Sequence, residues 1–220
     1  MSDTILLDID GTLIDSTYHH AVAWHRAFHR NGVEVPLWRI HRTIGMGGDR
    51  LVAEVAGDEV EDECGDAVRD AWREEYGELK AEVRPLPGAA ELVRKLAATH
   101  TVALASSGDP EFSAEAVELL GVTEEVTLLT TSEDAEESKP HPDLLGVTLE
   151  KTGSGRSVLV GDTVYDVESA ARAGLQCIAV RCGGYGGAEL VEAGAVLVVD
   201  GPADLLDVDW EPYLQEPTGS

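Results

Sequence analysis

Short apolar runs separated by helix-period sequence constrain this chain more than any other feature. Thr4 to Leu7, Val102 to Ala105, Val126 to Thr130, Ser157 to Val160, Gln176 to Val180 and Ala195 to Val199 read as buried strands. Helical stretches with their own start and stop signals lie between most of them. Asp109 is placed to cap a helix that has Pro110 at its first position and Gly121 beyond its end; another opens at Asp143 and closes near Gly153. Such alternation predicts an α/β fold, a doubly wound and mostly parallel sheet with helices on both faces.

One segment breaks the alternation. Between Ser16 and Pro85 no strand is expected, only helix-period sequence such as YHHAVAWHRAFHRNG and ECGDAVRDAWREEYGELK. Pro85, Pro87 and Gly88 then punctuate the return to the sheet. The expected organisation is an α/β core made of residues 1–15 and 86–220, with a small all-helical cap, residues 16–85, inserted after the first strand. The stretch from Pro212 to Ser220 is expected to be weakly ordered. GGYGG (Gly183 to Gly187) and GMGG do not form a GxGxxG after the first strand, so both read as turns. Cys64, Cys177 and Cys182 show no paired spacing and read as free thiols.

In a doubly wound sheet, loops at the carboxyl ends of the strands converge on one crevice. Asp8 and Asp10 follow the first predicted strand, Ser106 and Ser107 the second, Lys139 the third, and Asp162 and Asp166 the fourth. Period-two alternation starts Asp8 and Asp10 on the same side. Two carboxylates about 4 Å apart repel by roughly 4 kcal/mol at an effective dielectric near 20, and Asp162 adds to that. The cluster therefore needs a cation. Oxygen donors and hard anionic charge favour Mg²⁺, which is commonly held by one or two carboxylates together with a substrate phosphate. Lys139 can neutralise the same charge from the other side, and a seryl hydroxyl with backbone N–H groups can hold phosphoryl oxygens.

The residues DIDGT, ALASS, SKPHPD and GDTVYD, in this order and each after an apolar strand, resemble the four motifs of the haloacid dehalogenase superfamily. The helical insertion and IDSTYHHAVAW resemble its phosphoglycolate phosphatase and β-phosphoglucomutase branch. The resemblance implies a nucleophile, Asp8, that forms an aspartyl phosphate, and an acid and base, Asp10. It also implies Mg²⁺ on Asp8, the Asp10 backbone carbonyl and Asp162, with Asp166 acting through water or by orientation. Ser106, the first residue after its strand, is preferred over Ser107 for phosphate. The full DxDGT pattern points to phosphoryl transfer rather than carbon–halogen cleavage.

Charge adds a further constraint. The chain carries 42 acidic against 16 basic residues, a net charge of −26. Such a surface repels polyanions, so neither nucleic acid nor anionic lipid is an expected partner. Yet the segment from Ser16 to Arg50 holds five arginines and five histidines against two acids, whereas Leu51 to Glu82 holds twelve acids against three bases. Two accounts stand: part of the basic half faces the crevice and grips the substrate, or it pairs with the acidic half of the cap. On the first account GMGGDR is a specificity loop, with Arg50 and His20 as substrate contacts. His25 and His29 share a helix face, but the sequence nearby supplies no third metal ligand.

The expected activity is Mg²⁺-dependent hydrolysis of a small phosphorylated metabolite. A phosphosugar mutase of the same fold is the nearest alternative; a phospho-accepting receiver domain is another, although it needs neither a cap nor Asp10. Oligomeric state is left open. With no apolar run long enough to span a membrane and no signal-peptide pattern at the start, a cytoplasmic location is expected. The acidic, lysine-poor surface has two accounts, a salt-rich host or a GC-rich genome. If self-repulsion of a halophilic surface is responsible, the thermal midpoint rises between millimolar and molar KCl; an unchanged midpoint excludes that account.

Overall fold

The computed structural model describes residues 3–153 and 155–216. Strand β1 (Thr4–Leu7) is buried at all four positions, as expected for a strand covered on both faces. It pairs in parallel with β2 (Thr101–Ala105) on one side and β4 (Ser157–Gly161) on the other. β3 (Leu128–Thr130) extends the sheet beyond β2, and β5 (Gln176–Val180) and β6 (Leu197–Val199) extend it beyond β4. The sheet order is β3-β2-β1-β4-β5-β6, all parallel, so the winding direction reverses between β1 and β4. Alternating side chains build two cores. Ile5 and Leu7 join the cluster on one face, and Leu6 joins Ala103 and Leu159 on the other.

The cap contains α1 (Thr17–Arg30), α2 (Leu37–His41), α3 (Gly48–Ala56) and α4 (Asp58–Leu79), the last running into a 3-10 turn at Lys80–Glu82. Its own apolar cluster forms around Trp24, Phe28, Leu51 and Val68. The two linkers bond to each other: Asp15 N–H donates to the Arg84 carbonyl and Leu86 N–H to the Leu13 carbonyl, both at 2.9 Å. The inserted helices are thus anchored over the carboxyl ends of the strands.

The core helices are α5 (Ala89–Ala97), α6 (Pro110–Leu120), α7 (Asp143–Thr152), α8 (Val164–Arg172) and α9 (Gly187–Ala193). Asp109 caps α6 as expected, accepting from the N–H groups of Glu111 and Phe112, and Gly121 ends it in the left-handed conformation at φ 65°. Two strands start later than the apolar pattern suggests. Val126 N–H bonds back to the Val122 carbonyl, in the turn after α6, so β3 begins at Leu128. Likewise Ala195 N–H closes the end of α9 on the Leu190 carbonyl, and β6 begins at Leu197.

The carboxyl-terminal expectation needs correction. Glu211–Tyr213 forms a 3-10 turn, Leu214 is buried on the core, and Gln215 pairs with Ser157 in an antiparallel bridge. Apolar burial of Leu214 and Trp210 supplies the order that a short polar-looking end conceals. Residues 217–220 lie outside the described residues. The three cysteines are free thiols, and no described helix is long and apolar enough to cross a membrane. Because Phe28 is fully buried in the cap's separate cluster, Phe28→Ala should cost about 3–5 kcal/mol in urea denaturation.

Candidate active site

Asp8 N–H still bonds to the Val160 carbonyl at 2.9 Å, so the backbone ladder delivers the first carboxylate to the edge of the sheet beside β4. Lys139, on the loop between β3 and α7, comes in from the opposite side. Its ammonium is 2.5 Å from Asp8 Oδ1 and 2.7 Å from Asp166 Oδ1. Both Lys139 and Asp166 are only 1% exposed, and Asp8 7%. Asp166 sits in the first turn of α8, where its other oxygen accepts from Thr163 N–H (3.1 Å) and Thr163 Oγ1 (2.6 Å) in a reciprocal capping box. Asp162, one residue past β4, accepts from Thr12 Oγ1 at 3.0 Å through Oδ1.

Asp162 Oδ2 is buried with no hydrogen-bond partner among the described residues. Gly11 and Gly183 surround it, and a Cβ on either would run into that oxygen. Asp8, Asp162 and Asp166 each offer a carboxylate oxygen, and the three lie within 4.8 Å of one another. An all-oxygen, anionic donor set with one orphaned oxygen fits a hard divalent cation. The electrostatics agree. Burial, together with the neighbouring Asp166, pushes the Asp8 carboxyl up to about 7 despite the opposing pull of Lys139. Burial and the charges of Asp166 and Asp8 likewise hold Asp162 well above the usual carboxylate range. Burial alone would lower the Lys139 ammonium, but Asp166 and Asp8 outweigh it and raise its proton affinity.

Asp10 belongs to a different environment. Its Oδ1 accepts from Ser16 Oγ at 2.5 Å and from His20 Nε2 at 3.0 Å. Burial opposes ionisation there, yet the His20 contact and the Ser16 hydrogen bond keep the carboxyl below its usual range. The Asp10 side chain is not part of the three-carboxylate cluster. Ser106 follows β2 and is almost fully buried; its Oγ accepts from Gly108 N–H at 3.0 Å. Ser107 Oγ accepts from Lys139 N–H at 3.3 Å. Asp8, Asp10, Ser106 and Ser107 all line one cavity of about 610 Å³ beneath the cap.

The two cap candidates are placed unequally. His20 lines this cavity but is only 7% exposed, with its ring stacked on Tyr76 at 3.8 Å and its Nε2 committed to Asp10. Arg50 does not line it. Its guanidinium lies 3.5 Å from Glu137, next to a separate shallow depression bordered by Ala53 and Asp58. Gly45, Met46, Gly48 and Asp49 of GMGGDR do reach the main cavity. Asp49 and Arg50 differ by helical phase: α3 starts at Gly48, and exposed Asp49 borders both the main cavity and the outer depression, whereas exposed Arg50 borders the depression alone.

Residues that sequence reasoning passed over fill the rest. Thr12, the last residue of DIDGT, bridges towards Asp8 and Asp162; its place in the motif was the available signal. Arg69, Trp72 and Arg73 of α4 line the cavity from the half of the cap with an acidic sum. The basic half largely pairs with acids. Arg26 reaches Glu75, Arg30 reaches Glu74 and Glu75, and Arg42 reaches Glu189 of the core. His25 and His29 do not share a ligand: His25 Nδ1 contacts the Val35 carbonyl and His29 Nδ1 contacts Glu34.

Carboxylates and one lysine gathered at the switch point of a capped, doubly wound sheet define a class of hydrolase. A sequence model of that class, haloacid dehalogenase-like hydrolase, matches residues 5–180, and the chain belongs to this family. Validoxylamine A 7'-phosphate phosphatase of Streptomyces hygroscopicus subsp. limoneus is 26% identical over 217 residues, covering 96% of this chain and 97% of that protein. Phosphoglycolate phosphatase of Xylella fastidiosa is 30% identical over 78% of this chain and 77% of its own length. The crystal structure of a hydrolase from Pseudomonas syringae superposes with a TM-score of 0.88 at 30% identity, covering 93% of this chain and 96% of that one. The chain is a phosphoric monoester hydrolase of this family, as its motifs suggested.

Gly183 tests the cradle. Because an alanine methyl there meets Asp162 Oδ2, Gly183→Ala should, if a divalent cation sits on these carboxylates, raise the cation concentration for half-maximal turnover by about tenfold or more. Titration of activity with MgCl₂ measures it.

Proposed function

We propose that the chain is a Mg²⁺-dependent phosphatase that hydrolyses a small phosphorylated metabolite through an aspartyl phosphate on Asp8. The observation that carries this reading is the Asp8 carboxylate, fixed by Lys139 and set beside the free oxygen of Asp162. When bound, Mg²⁺ would neutralise charge between Asp8, Asp162, the Asp10 carbonyl and a phosphoryl group, with Asp166 supporting its ligands.

An oxygen of Asp8 attacks phosphorus, and the bond to the leaving oxygen breaks. Lys139, with Ser106 or Ser107 and the backbone N–H groups of their loop, holds the phosphoryl oxygens. The Asp10 carboxyl gives its proton to the departing alkoxide. Its Oδ1 is fixed by Ser16 and His20, whereas Oδ2 lies towards Gly108, on the phosphate side. Resting Asp10 favours ionisation, and an arriving phosphate dianion opposes that by adding negative charge nearby. In the second half of the cycle Asp10 takes a proton from water, which attacks phosphorus; the bond to Asp8 breaks and inorganic phosphate leaves.

A cavity of about 610 Å³ accommodates a leaving group of monosaccharide size as well as a smaller acid. The relatives act on leaving groups of different size, one on validoxylamine A 7'-phosphate and another on phosphoglycolate. A cytoplasmic location is part of this proposal, because small phosphorylated metabolites of these kinds are made and consumed there. Phosphate release across a panel of phosphorylated metabolites, with Mg²⁺ at low and high KCl, identifies the substrate. Asp8→Asn should remove turnover, by at least about a thousandfold, with the fold retained by circular dichroism; substantial residual turnover would refute the nucleophile.

A further inference from the structure

The loop entering α3 grips the core at the residue directly before Lys139. Asp49 Oδ1 accepts from Ser138 Oγ at 2.6 Å, and Asp49 Oδ2 faces Ser138 N–H at 3.4 Å. From the same loop Gly47 N–H donates to Ser138 Oγ at 3.1 Å. A side chain on Gly47 would collide with both Asp49 and Ser138, so the contact needs glycine there. Arg50 completes the grip through Glu137. Ser138 is buried.

One residue further on, Lys139 N–H rests on Ser107 Oγ and its ammonium reaches Asp8 and Asp166. A path of hydrogen bonds and one peptide bond therefore runs from the cap loop, through Ser138, to the groups assigned to phosphate. Asp49 is one of only two acids between Ser16 and Arg50, and the core loop it meets carries Glu136 and Glu137. Net charge does not draw an acid to that place. Asp49 forms no ion pair among the described residues; the Ser138 hydroxyl and N–H are what it binds.

We propose that Asp49 is a positioning residue: through Ser138 it sets Lys139 and the adjoining Ser107, so that the phosphate subsite is complete only when the cap loop is seated. This rests on the phosphatase reading above. A misplacement of about 1 Å at such a site can cost on the order of a hundredfold in rate.

The test uses the full chain, saturating Mg²⁺ and p-nitrophenyl phosphate. Asp49→Ala and Ser138→Ala should each lower kcat by about 10- to 100-fold while KM stays within about twofold. The double variant should be no slower than the worse single one, because both break the same link. Asp49→Asn has the same volume and keeps a carbonyl oxygen for the Ser138 hydroxyl, so it should return kcat to within about threefold of wild type; with Ser138→Ala it also covers the case in which Asp49→Ala does not fold. Unchanged kcat, additive losses, or a rise in KM alone would overturn the proposal, the last by making Asp49 a direct substrate contact. If instead Asp8→Asn turns over as well as wild type, the aspartyl-phosphate reading on Asp8 fails, and that outcome is separate from the Asp49 series.

Discussion

One ammonium among three buried carboxylates is the interaction on which the rest of the structure depends. A lysine as deeply buried as Lys139 remains charged only because Asp8 and Asp166 face it at 2.5 and 2.7 Å. Those partners come from the ends of β1 and the start of α8, and Asp162 comes from the end of β4. The sheet reverses its winding between β1 and β4, which opens the crevice that admits the lysine loop between them. Even so, the lysine leaves negative charge in excess. Asp162 Oδ2 has no protein partner among the described residues, and burial, with the neighbouring carboxylates adding to it, raises the proton affinities of Asp8 and Asp162.

The cap meets this cluster at its margins. Ser16 and His20 bind Asp10, Asp49 binds Ser138, Arg73 pairs with Asp109 next to the Ser106–Gly108 loop, and His41 contacts the Gly183 carbonyl. Each contact falls within three residues of a group assigned to the site, or on that group itself. The ion pairs among these contacts and their neighbours have one polarity. Arg42, Arg50, Arg73 and Lys80 come from the cap, and Glu189, Glu137, Asp109 and Glu115 from the core. Exposed pairs are individually worth no more than about 1 kcal/mol, but a shared polarity gives the two domains a preferred way to face each other.

The strands and the loop residues of the site were legible because burial and strand ends leave local marks. Apolar runs of four or five residues locate β2, β4 and β5, and the loop after each run is carried to one edge by the parallel topology. Asp109, Pro110 and Gly121 set the ends of α6 by chemistry confined to a few positions. What escaped was orientation within the cap. Summing charge over Ser16 to Arg50 left two accounts standing, and for Arg26 and Arg30 the pairing account holds, since both reach from α1 to Glu74 or Glu75 of α4. Conversely, Arg69 and Arg73 reach the cavity from a segment whose charge sum is acidic. A segmental sum carries no helical phase, and one residue of phase separates Asp49, which reaches the cavity, from Arg50, which does not.

This pairing also bears on how a chain of net charge −26 receives an anion. The cap arginines that line the cavity are already matched: Arg69 is held by Glu61 and Asp66, and Arg73 by Asp109. They shape and tether the cavity without supplying uncompensated positive charge. If Asp8 attacks phosphorus as proposed, the compensation for the incoming dianion must come from Lys139, the backbone N–H groups after β2, and a divalent cation on the carboxylates. All three act only at contact distance. Recognition is then local and not a matter of long-range steering, since the field of the surrounding surface is repulsive to phosphate at a distance. Salt that screens this surface eases the approach of the anion, whereas the buried groups that grip it feel that screening far less.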